Sequence, residues 1–255
     1  MNNATDSPLL VFVLSFFGLS LSALIGAYFL KRRRKLEEDV REDFSVILAA
    51  TLTLLGLVIG FSFSMAMNRY DQRKNLEAAE ANAIGTEYVR ADLLPASDAE
   101  KVRALLRNYL DQRVSFYMAR DEQQIQQINA RTAQLQTELW SAVMAPAAAQ
   151  QTPTVALAVS GMNDVLNSQG YTQAAWWNRI PIAAWALMAT IAVCCNLLVG
   201  YGTRNVKAEG LLLLILPFVV TIAFFLIADI DSPRGGVIRV APHNLASIVE
   251  SVRAQ

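Results

Sequence analysis

The residues best suited to chemistry in this 255-residue chain are four carboxylates on one short stretch: Asp71, Glu77, Glu80 and Glu87. Clustered carboxylates can ligate a divalent cation or share general acid and base work. Here they alternate with Arg69, Arg73 and Lys74, and Arg73 precedes Glu77 by four residues, the spacing of an ion pair along one helix. Glu80 and Glu87 are seven apart, on the same helical face. The pattern therefore predicts a solvated, salt-bridged helix surface. The single histidine, His243, has no cysteine near it, and Cys194 and Cys195 are adjacent within an apolar run. That excludes a disulfide framework and a zinc spacing. No Gly-rich phosphate loop and no Ser/His/Asp or Cys/His set is present. No catalytic residue, metal or cofactor is expected, and the chain reads as a non-enzyme.

One further motif could carry transport chemistry. LVGYG at 198–202 is similar to a potassium-filter strand, but such a strand needs a re-entrant loop behind a short pore helix. Here it ends a long apolar run with Arg204 two residues on, so Gly200 and Gly202 read as turn residues.

The elements that must position these residues follow from the distribution of charge. The chain is 54% hydrophobic with zero net charge, which gives no support for nucleic-acid binding. Residues 7–30, 44–68, 180–203 and 210–228 contain no charged side chain. About 20 apolar residues cross the roughly 30 Å hydrocarbon layer, so all four windows are predicted to span a bilayer. The first is too long, and its flank lacks the basic residues, for a cleaved signal peptide. A fifth charge-free window, 139–163, has prolines and paired glutamines at its centre. It reads as two soluble helices, the second capped by Thr152 with Pro153 at its first position.

The second span runs without a proline into the charged stretch, predicting one helix from about residue 43 to 93, ended by Pro95. The cluster Arg69, Asp71, Arg73, Glu77 and Glu80 then marks where that helix leaves the membrane. Ser97 and Glu100 form a capping box for the next helix, with its apolar stripe at Val102, Leu105, Leu106, Tyr109, Val114, Phe116 and Tyr117. A glutamine-rich helix with Ile125, Ile128, Leu135, Leu139 and Val143 follows, then a third ending near Gly170. The fold class is all-α: a four-span helical membrane protein with a helical extramembrane domain between spans 2 and 3. The expected division is 1–68 for spans 1 and 2, 69–179 for the extramembrane domain, 180–230 for spans 3 and 4, and 231–255 for a C-terminal tail.

Lysines and arginines near the span ends number eight on the side of KRRRK (31–35) and six on the other. The positive-inside rule places KRRRK in the cytoplasm and both termini, with residues 69–179, outside. Trp176 and Trp177 fall where an interfacial aromatic belt would lie. Within the second span Gly56, Gly60 and Ser64 repeat every four residues, a helix-packing line. Thr53, Leu57 and Phe61 form a second such line, readable as ordinary core or as the wall of a pore.

GFSFSMAMNRYDQR at 60–73, EANAIGTEYVRADLLP at 80–95 and DIDSPRGGVIRV at 229–240 resemble the bestrophin-like domain family of bacterial membrane proteins. The resemblance covers about residues 45–245 and implies a multi-pass protein of the bacterial inner membrane, in a family without an assigned activity. Gly60-Phe61 followed by Arg69-Tyr70 is also similar to the pore helix of the bestrophin anion channels. That second similarity implies a homo-oligomer, pentameric in bestrophins, with a neck lined at Thr53, Leu57 and Phe61. It also implies the opposite orientation, with residue 69 onward in the cytoplasm. Thr53 is polar, and Tyr70-Asp71 stands where those channels have paired tryptophans. Two functions are expected: a homo-oligomeric channel-like protein with an unidentified ion, or a membrane-anchored interaction or stress-sensing protein without transport. The lipid bilayer is a partner in either case, with further copies of the chain in the first reading and an unidentified protein bound by the helical domain in the second.

Overall fold

The computed structural model describes residues 7–30, 41–203 and 210–254. The KRRRK cluster with Arg204 and Lys207, on which the orientation count rests, lies outside the described residues. Among the described residues there is no β-strand. Helices α1 (Pro8–Ile25), α2 (Arg41–Arg90), α3 (Ala96–Met118), α4 (Glu122–Ala149), α5 (Pro153–Trp177), α6 (Ile182–Gly202), α7 (Leu212–Asp231) and α8 (His243–Arg253) follow one another, with a π-turn over Gly26–Leu30 and a 3-10 turn over Ala91–Leu93. Four helical stretches are long and apolar enough to cross a membrane, and each overlaps one of the four charge-free windows. The chain divides into one unit of residues 1–69 and 179–239 and a second of residues 70–178 and 240–255.

In the first unit the spans pack by close backbone approach and aromatic edges. A Cβ on Gly26 would collide with the Leu197 carbonyl, and a Cβ on Gly200 with that of Ala23. Only glycine lets α1 and α6 meet at this distance, the small-residue contact that membrane helices favour. Gly200 is therefore a contact residue and not a turn residue. LVGYG forms the last helical residues of α6, which ends at Gly202 with Thr203 as its C-cap, so no filter strand exists there. Phe12 meets Phe225 and Phe16 meets Phe218 edge-on at 6.0 and 6.3 Å between centroids.

The second unit is a helical bundle around its own hydrophobic core. Its core includes Ile84 of α2, Val102, Leu106 and Phe116 of α3, Leu135 and Leu139 of α4, Met162 and Val165 of α5, and Leu245 of α8. Thr152 accepts a hydrogen bond from the Val155 amide at 3.3 Å with Pro153 in the first turn, as its sequence pattern predicts. Three local expectations fail. Ser97 and Glu100 make no capping box: α3 begins two residues earlier, with Pro95 as its N-cap, and the Pro95 carbonyl accepts from the Asp98 and Ala99 amides at 2.9 Å. Gly170 lies inside α5, which continues to Trp177 because Thr172, Ala175 and Trp176 still have a core to bury against. Trp176 is buried edge-on to Phe116 and Tyr117, at 4.9 and 5.5 Å, and is not a belt residue; Trp177 is exposed.

Residues 240–255, expected as part of a tail, contribute a helix to this unit. Ile248 lies 3.0 Å from where a Cβ on Gly85 would be, so the glycine seats the side chain.

Candidate functional site

Helix α2 organises both sets of candidate residues. Its 50 residues form one unbroken helix, about 75 Å long at about 1.5 Å per residue. The 3-10 turn carries the chain to Leu93, and Leu94 is extended before Pro95. At about 100° per residue, Thr53, Gly56, Leu57, Gly60, Phe61 and Ser64 fall within one arc of about 140°. All six are exposed. Leu57 and Phe61 are 51% and 66% accessible, so a buried core line within the chain is ruled out for them. Nothing lies within 4 Å of a Cβ built on Gly56 or Gly60, so the small-residue line packs against nothing in the single chain. The opposite face carries Leu55, Ser62 and Ala66, which are buried.

That buried face continues past the charge-free window at three- and four-residue spacing through Arg73, Glu77, Glu80, Ile84, Glu87 and Ala91. The expected solvated face is therefore corrected. Asp71 and Lys74 are exposed and Arg69 is partly covered, but Arg73, Glu77, Glu80 and Glu87 point into protein. For Glu77 and Glu80 the reason is pairing with groups far away in sequence.

The Glu80 carboxylate takes the Arg113 guanidinium through Nε and, at 3.4 Å, Nη2. It also accepts from Tyr117 Oη at 3.3 Å and Thr172 Oγ1 at 3.1 Å. Both charged side chains of the pair are 0% exposed, and the guanidinium lies 4.5 Å over the Phe116 ring. Burial opposes the Arg113 charge, but adjacent Glu80 outweighs it and raises that pKa further. Burial, reinforced by Glu80, lifts Tyr117 well above the ordinary phenol range.

Glu77 accepts from the Leu245 amide at 2.9 Å and Asn244 Nδ2 at 2.6 Å. It thereby satisfies free donors at the first turn of α8, where helix-dipole and capping arguments favour a carboxylate.

A further cluster, in the first unit, had no signal in the sequence beyond the quoted DIDSPRGGVIRV. Asp231, at the end of α7, accepts from the Ile180 amide at 3.1 and 3.2 Å and from Arg179 Nε at 3.3 Å. It lies 3.8 Å from Arg69 Nη1. The ends of three spans converge on this one buried carboxylate. Asp229, a half-turn earlier, accepts from the Val237 and Ile238 amides, both at 2.8 Å. A Cβ on Gly236 would collide with the Asp229 carbonyl, which explains the glycine in that loop. These bonds hold carboxylates at a helix C-terminus, an end that disfavours them. The arrangement locks geometry and offers no reactive group. Among the described residues no set of three His, Cys, Asp or Glu is placed to hold a metal ion.

The fold has close counterparts among solved structures. A single-substitution variant of a bacterial Bestrophin homolog from Klebsiella pneumoniae superposes with a TM-score of 0.66 at 13% identity, covering 95% of this chain and 96% of that one. Another crystal structure of a bacterial Bestrophin homolog from that organism gives 0.62 at 15% identity over 96% and 95%. A structure described as a membrane protein variant gives 0.59 at 16% identity over 97% and 96%. At these identities the likeness is one of fold. No curated protein matches the sequence. The model of the Bestrophin-like domain matches residues 12–245, nearly the whole chain, so this multi-span membrane protein belongs to the Bestrophin-like family.

Proposed function

We propose that the chain is one subunit of a homo-oligomeric channel-like protein whose central path is lined by α2. The observation that carries this reading is the two-sidedness of that helix. Leu55, Ser62 and Ala66 are buried within the chain, while Thr53, Leu57 and Phe61 stand exposed on the opposite side beside open glycines. A symmetric ring of such helices stacks Thr53, Leu57 and Phe61 into rings about 6 Å apart, one turn each. Rings of leucine and phenylalanine exclude water and close a narrow path by dewetting. Exposed Lys74 favours anions beyond the helix exit, and exposed Asp71 opposes it, so the sign of the ion is left to measurement. Replacing Leu57 and Phe61 together with alanine is expected to raise ion flux in reconstituted liposomes. A well-folded double variant with no flux for any anion or cation removes the channel reading.

The four charge-free windows favour one rival, a membrane-anchored interaction protein, since transport paths often carry intramembrane ionisable groups. Oligomeric state in mild detergent separates the two, because a strict monomer cannot enclose a path with one copy of α2. The KRRRK count supports an inner-membrane orientation with residues 69–179 outside. A cysteine at Gln151, in a background lacking Cys194 and Cys195, is expected to react with an impermeant reagent in intact spheroplasts. Labelling only after lysis reverses the orientation.

A further inference from the structure

Three glutamates of the α2 extension are buried, and two of them have full sets of donors. Glu87 does not. It is 0% exposed, and neither carboxyl oxygen has a hydrogen-bond partner. It faces α5 at Gly161: a Cβ there would overlap Glu87 Oε2 and lie 2.6 Å from Arg90 Nη1. The carboxyl group thus fills the side-chain space of position 161 and rests against the backbone of α5. A carboxylate in such a place has lost water and gained no donor, which strongly favours the neutral acid. Burial raises its pKa from 4.5 to about 8; Arg90, one turn on along α2, pulls it down, and Asp164, one turn on along α5, pushes it up.

We propose that Glu87 is a proton-operated switch between the α2 extension and α5. As the neutral acid it is wedged against Gly161 and the two helices stay closed. Loss of the proton to water at alkaline pH leaves a buried carboxylate without donors. That charge is relieved by pairing with half-buried Arg90, whose Nη1 borders the same space at Gly161, and the rearrangement against the backbone there loosens α5. The charged groups facing it are Arg90 from its own helix and exposed Asp164 from α5. The switch needs no assumption about ion conduction.

The test is an infrared titration of the full chain in detergent or nanodiscs from neutral to alkaline pH. A protonated-carboxyl carbonyl band is expected at neutral pH and should vanish with a midpoint near 8, the point set by its environment. Glu87→Gln should lack this band. Arg90→Gln should move the midpoint up, and Asp164→Asn should move it down. Amide exchange over 153–177, corrected for intrinsic rates, should lose protection roughly tenfold through the same midpoint and stay flat in Glu87→Gln. The proposal is overturned by a wild-type spectrum without a titrating acid band, by the same band in Glu87→Gln, or by α5 protection that falls equally in both proteins. Where Glu87→Gln fails to fold, the opposite midpoint shifts in Arg90→Gln and Asp164→Asn assign the wild-type band, and an unmoved midpoint in both overturns the proposal.

Discussion

Along α2 the buried stripe carries Leu55, Ser62 and Ala66 before the helix leaves its apolar window, and Arg73, Glu77, Glu80 and Glu87 after it. The exposed side changes in the opposite sense, from Leu57 and Phe61 to Asp71, Lys74 and Asn75. One helix thus exposes its hydrophobes in one half and buries its charges in the other. The first half has lipid or further protein around it, so outward leucine and phenylalanine cost nothing in water. The second half is surrounded by other helices, so an acid hidden there needs donors, as Glu77 and Glu80 have, or gives up its charge, as proposed for Glu87. Exposure therefore means different things in the two halves, and three- and four-residue spacing alone shows which face is shared but not what that face touches.

The largest effect should come from breaking the charged half. Glu80→Gln removes the counter-charge of Arg113 and leaves a guanidinium buried with reduced pairing. Truncating one partner of a buried pair costs about 3–5 kcal/mol. Chemical unfolding in detergent should register that loss, and Glu80→Gln with Arg113→Met should recover a large part of it. A single variant as stable as the parent would show that the pair contributes little.

Glu87 sharpens the contrast among the buried acids. Its folded pKa is raised from 4.5 to about 8, so the folded state holds the proton more tightly. Its contribution to stability is full below about 4.5 and is lost as pH rises to about 8. The slope is about 1.4 kcal/mol per pH unit across that window. Unfolding free energies measured against pH should show this slope in the parent relative to Glu87→Gln, which cannot titrate. Parallel curves would place the proton elsewhere.

The spans, the unbroken α2 and the Thr152 cap could be read directly because each rests on local pattern: absence of charge, absence of proline, and one hydroxyl beside a proline. What could not be read depends on partners distant in the chain. Glu80 is matched by Arg113, Tyr117 and Thr172, and Glu77 by residues 244 and 245. From the sequence alone those glutamates look like any solvated helix face. Gly170 and the Ser97–Glu100 pair mislead for the converse reason: both are good local signals overridden by packing that prolongs α5 and by the Pro95 carbonyl that starts α3.

Glycines in the spans extend the comparison to smaller effects. Gly26 and Gly200 lie at a backbone contact, where a methyl meets a carbonyl that cannot move without its helix. Alanine at either position should destabilise the first unit by about 1–3 kcal/mol, the usual range for overpacking. A lowered thermal midpoint checks it, and an unchanged midpoint would mean that α1 and α6 separate at no cost.

Gly56 and Gly60 should respond least in the single chain and most in its association. A Cβ built there meets nothing within 4 Å, so alanine creates no clash. Helix propensity favours alanine by about 1 kcal/mol, and the monomer should be unchanged or slightly more stable. On the proposed ring, the glycine side of the exposed arc faces the neighbouring subunit while Leu57 and Phe61 face the axis. Gly60→Leu then places bulk at a contact that needs close approach, and the oligomer should dissociate at a lower detergent concentration while each subunit keeps its fold. Native mass spectrometry separates these quantities. An intact oligomer with leucine at both positions would move the contact to another face of α2, and with it the line that borders the path.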